Sequence, residues 1–306
     1  MITKIKLGSR IIFKIISTGL CQAALQRERK VCYIKPVQTG EPDEYFIQFY
    51  ANPNGISDIT LKTLNRWSNP ISPHLAAVME QNEKPLVSDR ELVANLRYEI
   101  EKFSNDGLLA KKETMIIIET AGGVLSPGPS KTLQADIYRS LRLPIILVGD
   151  AKLGGITSTI SAFESLRLRG YSVYAIAIIE RSESSRLGNA EMIQEYLKNS
   201  FESLVTKTYS RENSTFSYED EANHSFNAHI PRVFSFSPLP MKKGLGGGQL
   251  LHAWYKANSP EFLNMYDHFR KCVLTDGSSI EQMRIDGQNV IWWPFTQVQC
   301  TSLVLS

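Results

Sequence analysis

The chain has 306 residues, 42% of them hydrophobic and 21% charged, with a formal net charge of +3. That is the composition of an ordinary soluble globule able to bury one large core. So small a charge argues against nucleic acid or a membrane surface as partner, and no apolar run approaches the ~18 residues of a membrane-spanning helix.

Cys21, Cys32, Cys272 and Cys300 show neither CxxC nor metal-ligand spacing and read as reduced thiols. The segment from Met1 to Arg27 has five basic residues and no acidic one, the composition of a mitochondrial transit peptide. It also stands where a nucleotide-binding α/β protein places its first strand and phosphate loop. The loop pattern is G-x-x-x-x-G-K-[ST], because bare backbone amides must wrap the phosphates and a hydroxyl must reach the metal. Gly8 and Lys14 have that spacing, but Phe13 takes the second glycine and Ile15 the hydroxyl position. Residues 1–16 are therefore read as an atypical N-terminal segment that matches nothing in such a fold.

A helix is expected from Ser17 to Arg27. Val31 to Pro36 then reads as a strand entering the loop Lys35-Pro36-Val37-Gln38-Thr39-Gly40, where the proline keeps Lys35 extended. Residues 41–86 look irregular. Ser88-x-x-Glu91 is a capping box that opens a helix to about Phe103. Met115 to Ile118 is an apolar run, the mark of a strand buried on both faces of a parallel sheet. It ends in Glu119, followed by Thr120-Ala121-Gly122-Gly123, a carboxylate beside glycines that admit a ligand to the backbone. A solvated glutamate before a glycine turn is the plain alternative.

A helix from Thr132 to Leu141 and a strand from Ile145 to Gly149 follow. Asp150-Ala151-Lys152-Leu153-Gly154-Gly155 then leads into a helix from Ile156 to Arg169, an arrangement suited to a carboxylate or phosphate. Next come a strand from Val173 to Glu180, a helix from Gly188 to Asn199, a polar insertion from Thr206 to His229 and a strand from Val233 to Phe236 before Pro238-Leu239-Pro240. Strands alternating with helices predict a doubly wound, mainly parallel α/β sheet. Residues 242–248 read as a linker to a helical C-terminal appendage, in which Phe262, Met265, Phe269 and Val273 share one face and pack on the sheet domain.

Four motifs, Lys35 to Gly40, Ser72-Pro73-His74, Glu119 to Gly123 and Val148 to Gly155, stand in the order found in dethiobiotin synthetase, and the chain from Ser17 to about Pro240 resembles that family. The run Glu119 to Ser130 resembles its eukaryotic form, fused ahead of diaminopelargonate aminotransferase. Trp292-Trp293-Pro294-Phe295-Thr296-Gln297 resembles the opening of that aminotransferase, so 17–241 is expected to be the synthetase-like domain, 242–291 linker and appendage, and 292–306 the start of a truncated second domain.

The resemblance implies a P-loop NTPase type of fold and ATP-dependent closure of the ureido ring of 7,8-diaminopelargonate with CO2 in biotin synthesis. An amine of the substrate forms a carbamate, whose oxygen attacks the ATP γ-phosphate before the second amine displaces phosphate. It assigns catalysis to Lys35 and, at the P-loop position, Lys14. It assigns Mg²⁺ to Glu119 and Asp43, with Glu44 an alternative to Asp43. Thr39, Gly122 and Gly123 would line the substrate channel. Gly154, Gly155, Ile156 and Thr157 would meet the substrate carboxylate from a second subunit, which implies a homodimer. Glu119, Glu180, Pro238, Leu239 and Pro240 would surround the nucleotide. Mitochondrial placement is expected, with cytoplasmic the alternative. Because the P-loop pattern is broken, two classes of function stand side by side: an ATP-dependent synthetase, and a non-catalytic remnant acting in dimerisation or substrate hand-off beside an aminotransferase.

Overall fold

The structure is a computed structural model and describes residues 9–52, 55, 58–82, 86–181, 188–209, 230–240, 247–277 and 299–305. The elements run α1 (Ser9–Gln26), β1 (Lys30–Thr39), α2 (Asp43–Ala51), β2 (Ile59–Trp67), α3 (Pro73–Met79), α4 (Asp89–Leu109), β3 (Thr114–Glu119), α5 (Gln134–Ile137) with a 3₁₀ turn (Tyr138–Leu141), β4 (Ile145–Val148), α6 (Gly155–Leu168), β5 (Val173–Ile179), α7 (Asn189–Tyr209), β6 (Arg232–Phe236), α8 (Gly247–Gly277) and β7 (Gln299–Leu305). The seven strands among the described residues pair in parallel, in the order β2-β1-β3-β7-β4-β5-β6. The expected doubly wound α/β architecture is present.

Side-chain alternation along the strands divides the core into two layers. Val31 and Tyr33 of β1 and Met115 and Ile117 of β3 face α1, α2 and α8. Cys32, Ile34, Ile116 and Ile118 face α3, α4 and the helices beyond. β3, β4 and β5 are buried along their whole length, as their unbroken apolar runs require.

Several expectations are corrected. α1 begins at Ser9, so residues 9–16 are its first turns and Ile15 and Ile16 are fully buried in the core; residues 1–8 lie outside the described residues. Residues 41–86 are not irregular: they hold α2, the edge strand β2 and α3. β2 was hidden because its polar residues sit on a half-exposed edge, where burial leaves no apolar run. The helix expected over Thr132–Leu141 is one short turn of α-helix followed by 3₁₀, and α7 runs on to Tyr209 and absorbs the first residues of the supposed insertion. Residues 210–229 and most of the supposed linker lie outside the described residues.

The Ser88–Glu91 capping box is present: Ser88 N–H donates to Glu91 Oε2 at 3.0 Å and Glu91 N–H to Ser88 Oγ at 3.2 Å. The C-terminal helix is also present as α8, and Phe262, Met265 and Phe269 lie buried against α1 and the sheet. The expected resemblance at 292–297 falls outside the described residues. Residues 299–305 form β7, which comes last in the chain yet lies between β3 and β4 in the middle of the sheet.

Candidate active site

The site grows from the carboxyl ends of β1 and β3, where an open parallel sheet binds its ligands. The β1–β3 ladder carries Tyr33 opposite Ile117 and Ile34 opposite Ile118. One step further, Lys35 and Glu119 come level on the face that α1 and α2 cover. Pro36 has no N–H to continue a ladder, and β1 keeps only β2 as partner beyond this point. That divergence leaves room above Lys35.

Four charged side chains from four elements meet there. Lys35 Nζ lies 2.5 Å from Glu119 Oε1 and 2.9 Å from Asp43 Oδ2. Lys14 Nζ, from α1, reaches Asp43 Oδ1 at 2.5 Å, and its ammonium stands 5.7 Å from the centre of the Phe46 ring. Lys35, Asp43 and Glu119 are 6%, 6% and 1% exposed. Burial alone would push the Lys35 ammonium down, but the carboxylates of Glu119 and Asp43 outweigh it and hold it above its ordinary value. For Asp43, burial would raise the carboxyl, and Lys35 and Lys14 together hold it below the usual range. Two ammoniums and two carboxylates balance formally, which is the condition for keeping charge inside a protein.

α2 sends Asp43 and Glu44 in different directions. Both stand in its first turn, but adjacent helical residues point about 100° apart. Asp43 turns inward, while Glu44 reaches out to Arg66 at 2.9 Å. Glu119 Oε2 is buried and has no hydrogen-bond partner among the described residues. An open carboxylate oxygen beside a second carboxylate is the donor chemistry of a hard divalent cation, so the residues present fit Mg²⁺.

Around this cluster the expected substrate loops take defined shapes. Thr39 is buried at the end of β1, and Gly40 closes the turn with a positive φ of 74°. Gly122 has φ 106°, and Gly123 N–H donates to Ser126 Oγ at 2.9 Å. Ser126, inside the Glu119–Ser130 run but without a role assigned from the sequence, closes this turn by bonding Gly123 in both directions. Gly154 is left-handed at φ 84° ahead of α6. Gly155 is buried so close to its own turn that a β-carbon would stand 2.0 Å from the Asp150 carbonyl oxygen. Asn189 Nδ2 ties the turn by donating to the carbonyls of Asp150 and Lys152, each at 3.0 Å. Thr157 is exposed, Ile156 half-buried, and Leu153 beside them 90% exposed.

Glu180, at the end of β5, accepts a hydrogen bond from Ser235 Oγ at 2.9 Å. The segment leading to Pro238, Leu239 and Pro240 is pinned to α8: Asn258 Oδ1 accepts from Ser237 N–H, and Trp254 Nε1 donates to the Ser237 carbonyl, both at 2.9 Å. At the nucleotide side the structure departs from a P-loop. α1 is already helical from Ser9, so the amides of Phe13 and Lys14 fall in its second turn, where they donate within the helix. Phe13 itself is 8% exposed and packs in the core.

Among the described residues, no helix is long and apolar enough to cross a membrane, and no group of three or more His, Cys, Asp or Glu is placed to hold a metal, the Lys35 cluster offering two carboxylates.

Comparison with known proteins gives concordant matches. The AAA domain family model matches residues 13–205. The bifunctional dethiobiotin synthetase/adenosylmethionine-8-amino-7-oxononanoate aminotransferase of Emericella nidulans is 42% identical over 171 residues, 54% of this chain and 20% of that protein. The mitochondrial bifunctional dethiobiotin synthetase/7,8-diamino-pelargonic acid aminotransferase of rice, Oryza sativa subsp. japonica, is 32% identical over 252 residues, 81% of this chain and 25% of that protein. The chain thus spans a quarter or less of these bifunctional relatives. ATP-dependent dethiobiotin synthetase BioD of Rhodopseudomonas palustris is 31% identical over 168 residues, 54% of this chain and 70% of that protein. With an AAA domain matched over most of its length and a single-function relative covered over more than two thirds, the chain belongs to the dethiobiotin synthetase family.

Proposed function

We propose that the chain is an ATP-dependent dethiobiotin synthase of biotin biosynthesis, joining CO2 to the two amines of 7,8-diaminopelargonate. The observation that carries this reading is Lys35 held between Asp43 and Glu119 at the ends of two central strands. Its compact ammonium suits the carbamate and the phosphoryl group, whose negative charge must be met in a site closed to water. Lys14 brings a second positive charge to the same edge. Thr39, Gly122 and Gly123 would line the channel of the diamine, and Glu180 with Pro238, Leu239 and Pro240 would border the nucleotide. Glu119 and Asp43 would hold Mg²⁺, which when bound neutralises phosphate charge.

The start of α6, with Gly154 to Thr157, would receive the substrate carboxylate of a partner subunit in a homodimer. The fused relatives support an aminotransferase as neighbour in the same reaction sequence, and the rice relative's name supports a mitochondrial setting. The test is formation of dethiobiotin from diaminopelargonate, bicarbonate and Mg²⁺·ATP by the full chain, at saturating nucleotide.

One observation favours a second reading, a non-catalytic member acting in dimerisation or substrate hand-off: α1 takes up the amides that a phosphate cradle would need. No dethiobiotin with retained diaminopelargonate binding would select that reading.

A further inference from the structure

Tyr33 lies one turn of the pleat below Lys35, on the same face of β1, and is completely buried. Its ladder partner is Ile117, so Glu119 is its diagonal neighbour across the strand pair, about 7–8 Å away between backbones and within reach of an aromatic side chain. Neither the Tyr33 hydroxyl nor Glu119 Oε2 makes a well-formed hydrogen bond among the described residues, although the Glu119 carboxylate lies within interaction range of the hydroxyl. A phenol buried in an apolar layer without a partner is disfavoured relative to phenylalanine, which fills the same space. A phenol is protonated at neutral pH and available as a donor, here beside a carboxylate oxygen that lacks a well-formed one.

We propose that Tyr33 is a positioning residue for Glu119: its hydroxyl donates to Oε2, while Lys35 holds Oε1 and the carboxylate is fixed at both ends. An oxygen with two lone pairs accepts this hydrogen bond and still serves a cation, and the hydrogen-bond partners of metal-holding carboxylates set metal affinity. Tyr33 acts through Glu119 and touches neither substrate nor nucleotide. The functional consequence rests on the synthetase reading; the hydrogen bond does not.

The experiment compares the full chain with Tyr33→Phe, Glu119→Gln and the double variant. An unpartnered hydroxyl makes Tyr33→Phe neutral or raises Tm. A hydrogen bond to the carboxylate makes it lower Tm by about 3 °C or more, and by no more than about half as much beside Glu119→Gln, where the acceptor is uncharged. Mn²⁺ binding in the presence of ATP, read by electron paramagnetic resonance, should weaken about tenfold in Tyr33→Phe, with diaminopelargonate affinity unchanged in calorimetry. An unchanged or raised Tm overturns the proposal, and so does a lowered Tm with unaltered Mn²⁺ affinity. If the parent chain binds no Mn²⁺·ATP at all, the synthetase reading of the cluster falls, and the thermal comparison alone decides whether Tyr33 holds Glu119.

Discussion

Lys14 and Lys35 meet on one carboxylate: Asp43 offers Oδ1 to the first at 2.5 Å and Oδ2 to the second at 2.9 Å. The lysine of a broken P-loop pattern thus stands at the same centre as the lysine of the strand-end motif, although the loop that normally presents it is helical here. Because both oxygens of Asp43 are occupied, its charge state governs the stability of the whole corner.

The first prediction follows from that. Asp43 titrates below its ordinary value of 3.8 in the folded chain. A depressed carboxyl stabilises the fold above the unfolded value, and that contribution is lost as pH falls through the folded one. Chemical unfolding between pH 3 and pH 7 should show this loss below about pH 4, and Asp43→Asn should be less stable than the parent at pH 7 while losing less on acidification. An unaltered acid limb would detach Asp43 from the cluster's stability.

A second prediction concerns the α6 turn. Gly155→Ala must force the Asp150 carbonyl aside, since its β-carbon would come within 2.0 Å of that oxygen; a loss of about 2 kcal/mol or more is expected. Gly154→Ala meets open space and costs only the left-handed backbone, about 1–2 kcal/mol. A bulky residue at 155 therefore reports on this turn, and the proposed contact with a partner subunit is better tested at exposed Thr157. Thr157→Trp should weaken diaminopelargonate binding in a fold of normal stability; parental affinity would remove α6 from the substrate site.

The third prediction is about nucleotide. With the Phe13 and Lys14 amides inside α1, calorimetry on the full chain should show diaminopelargonate binding more readily than ATP. Phe13→Gly with Ile15→Thr should not restore tight ATP binding, because Ile15 is a buried core residue and the backbone there is helix, not loop. Micromolar ATP binding by the parent would mean that another segment cradles the phosphates.

Much of this was readable in advance. Lys35 and Glu119 announce themselves because each ends a buried strand, and an apolar run that stops at a charge marks the sheet's carboxyl edge. Asp43 was legible only as one of two neighbours, since the direction of a side chain on a short helix depends on where the helix begins. Tyr33 carries one signal: it alternates with Lys35 on a strand buried on both sides, so the two share a face. The central place of β7 gave none, because a parallel strand carries no record of which distant strands will flank it.

The fourth prediction tests that strand. A central strand donates backbone N–H groups to both neighbours and does not tolerate proline. Ser302→Pro, whose residue pairs with Ile117, should lower Tm sharply and expose the β3–β4 edge to limited proteolysis. A Tm equal to that of the parent would show that β7 adds nothing to the stability of the sheet.

The most direct measurement of the central claim is turnover of diaminopelargonate, bicarbonate and Mg²⁺·ATP to dethiobiotin by the parent chain and by Lys35→Ala, at saturating nucleotide and with folding checked by circular dichroism. The Lys35–Asp43–Glu119 centre predicts product from the parent and a kcat lower by ~10²-fold or more in the variant, the usual loss of one preorganised electrostatic donor. Equal turnover by both chains would contradict it.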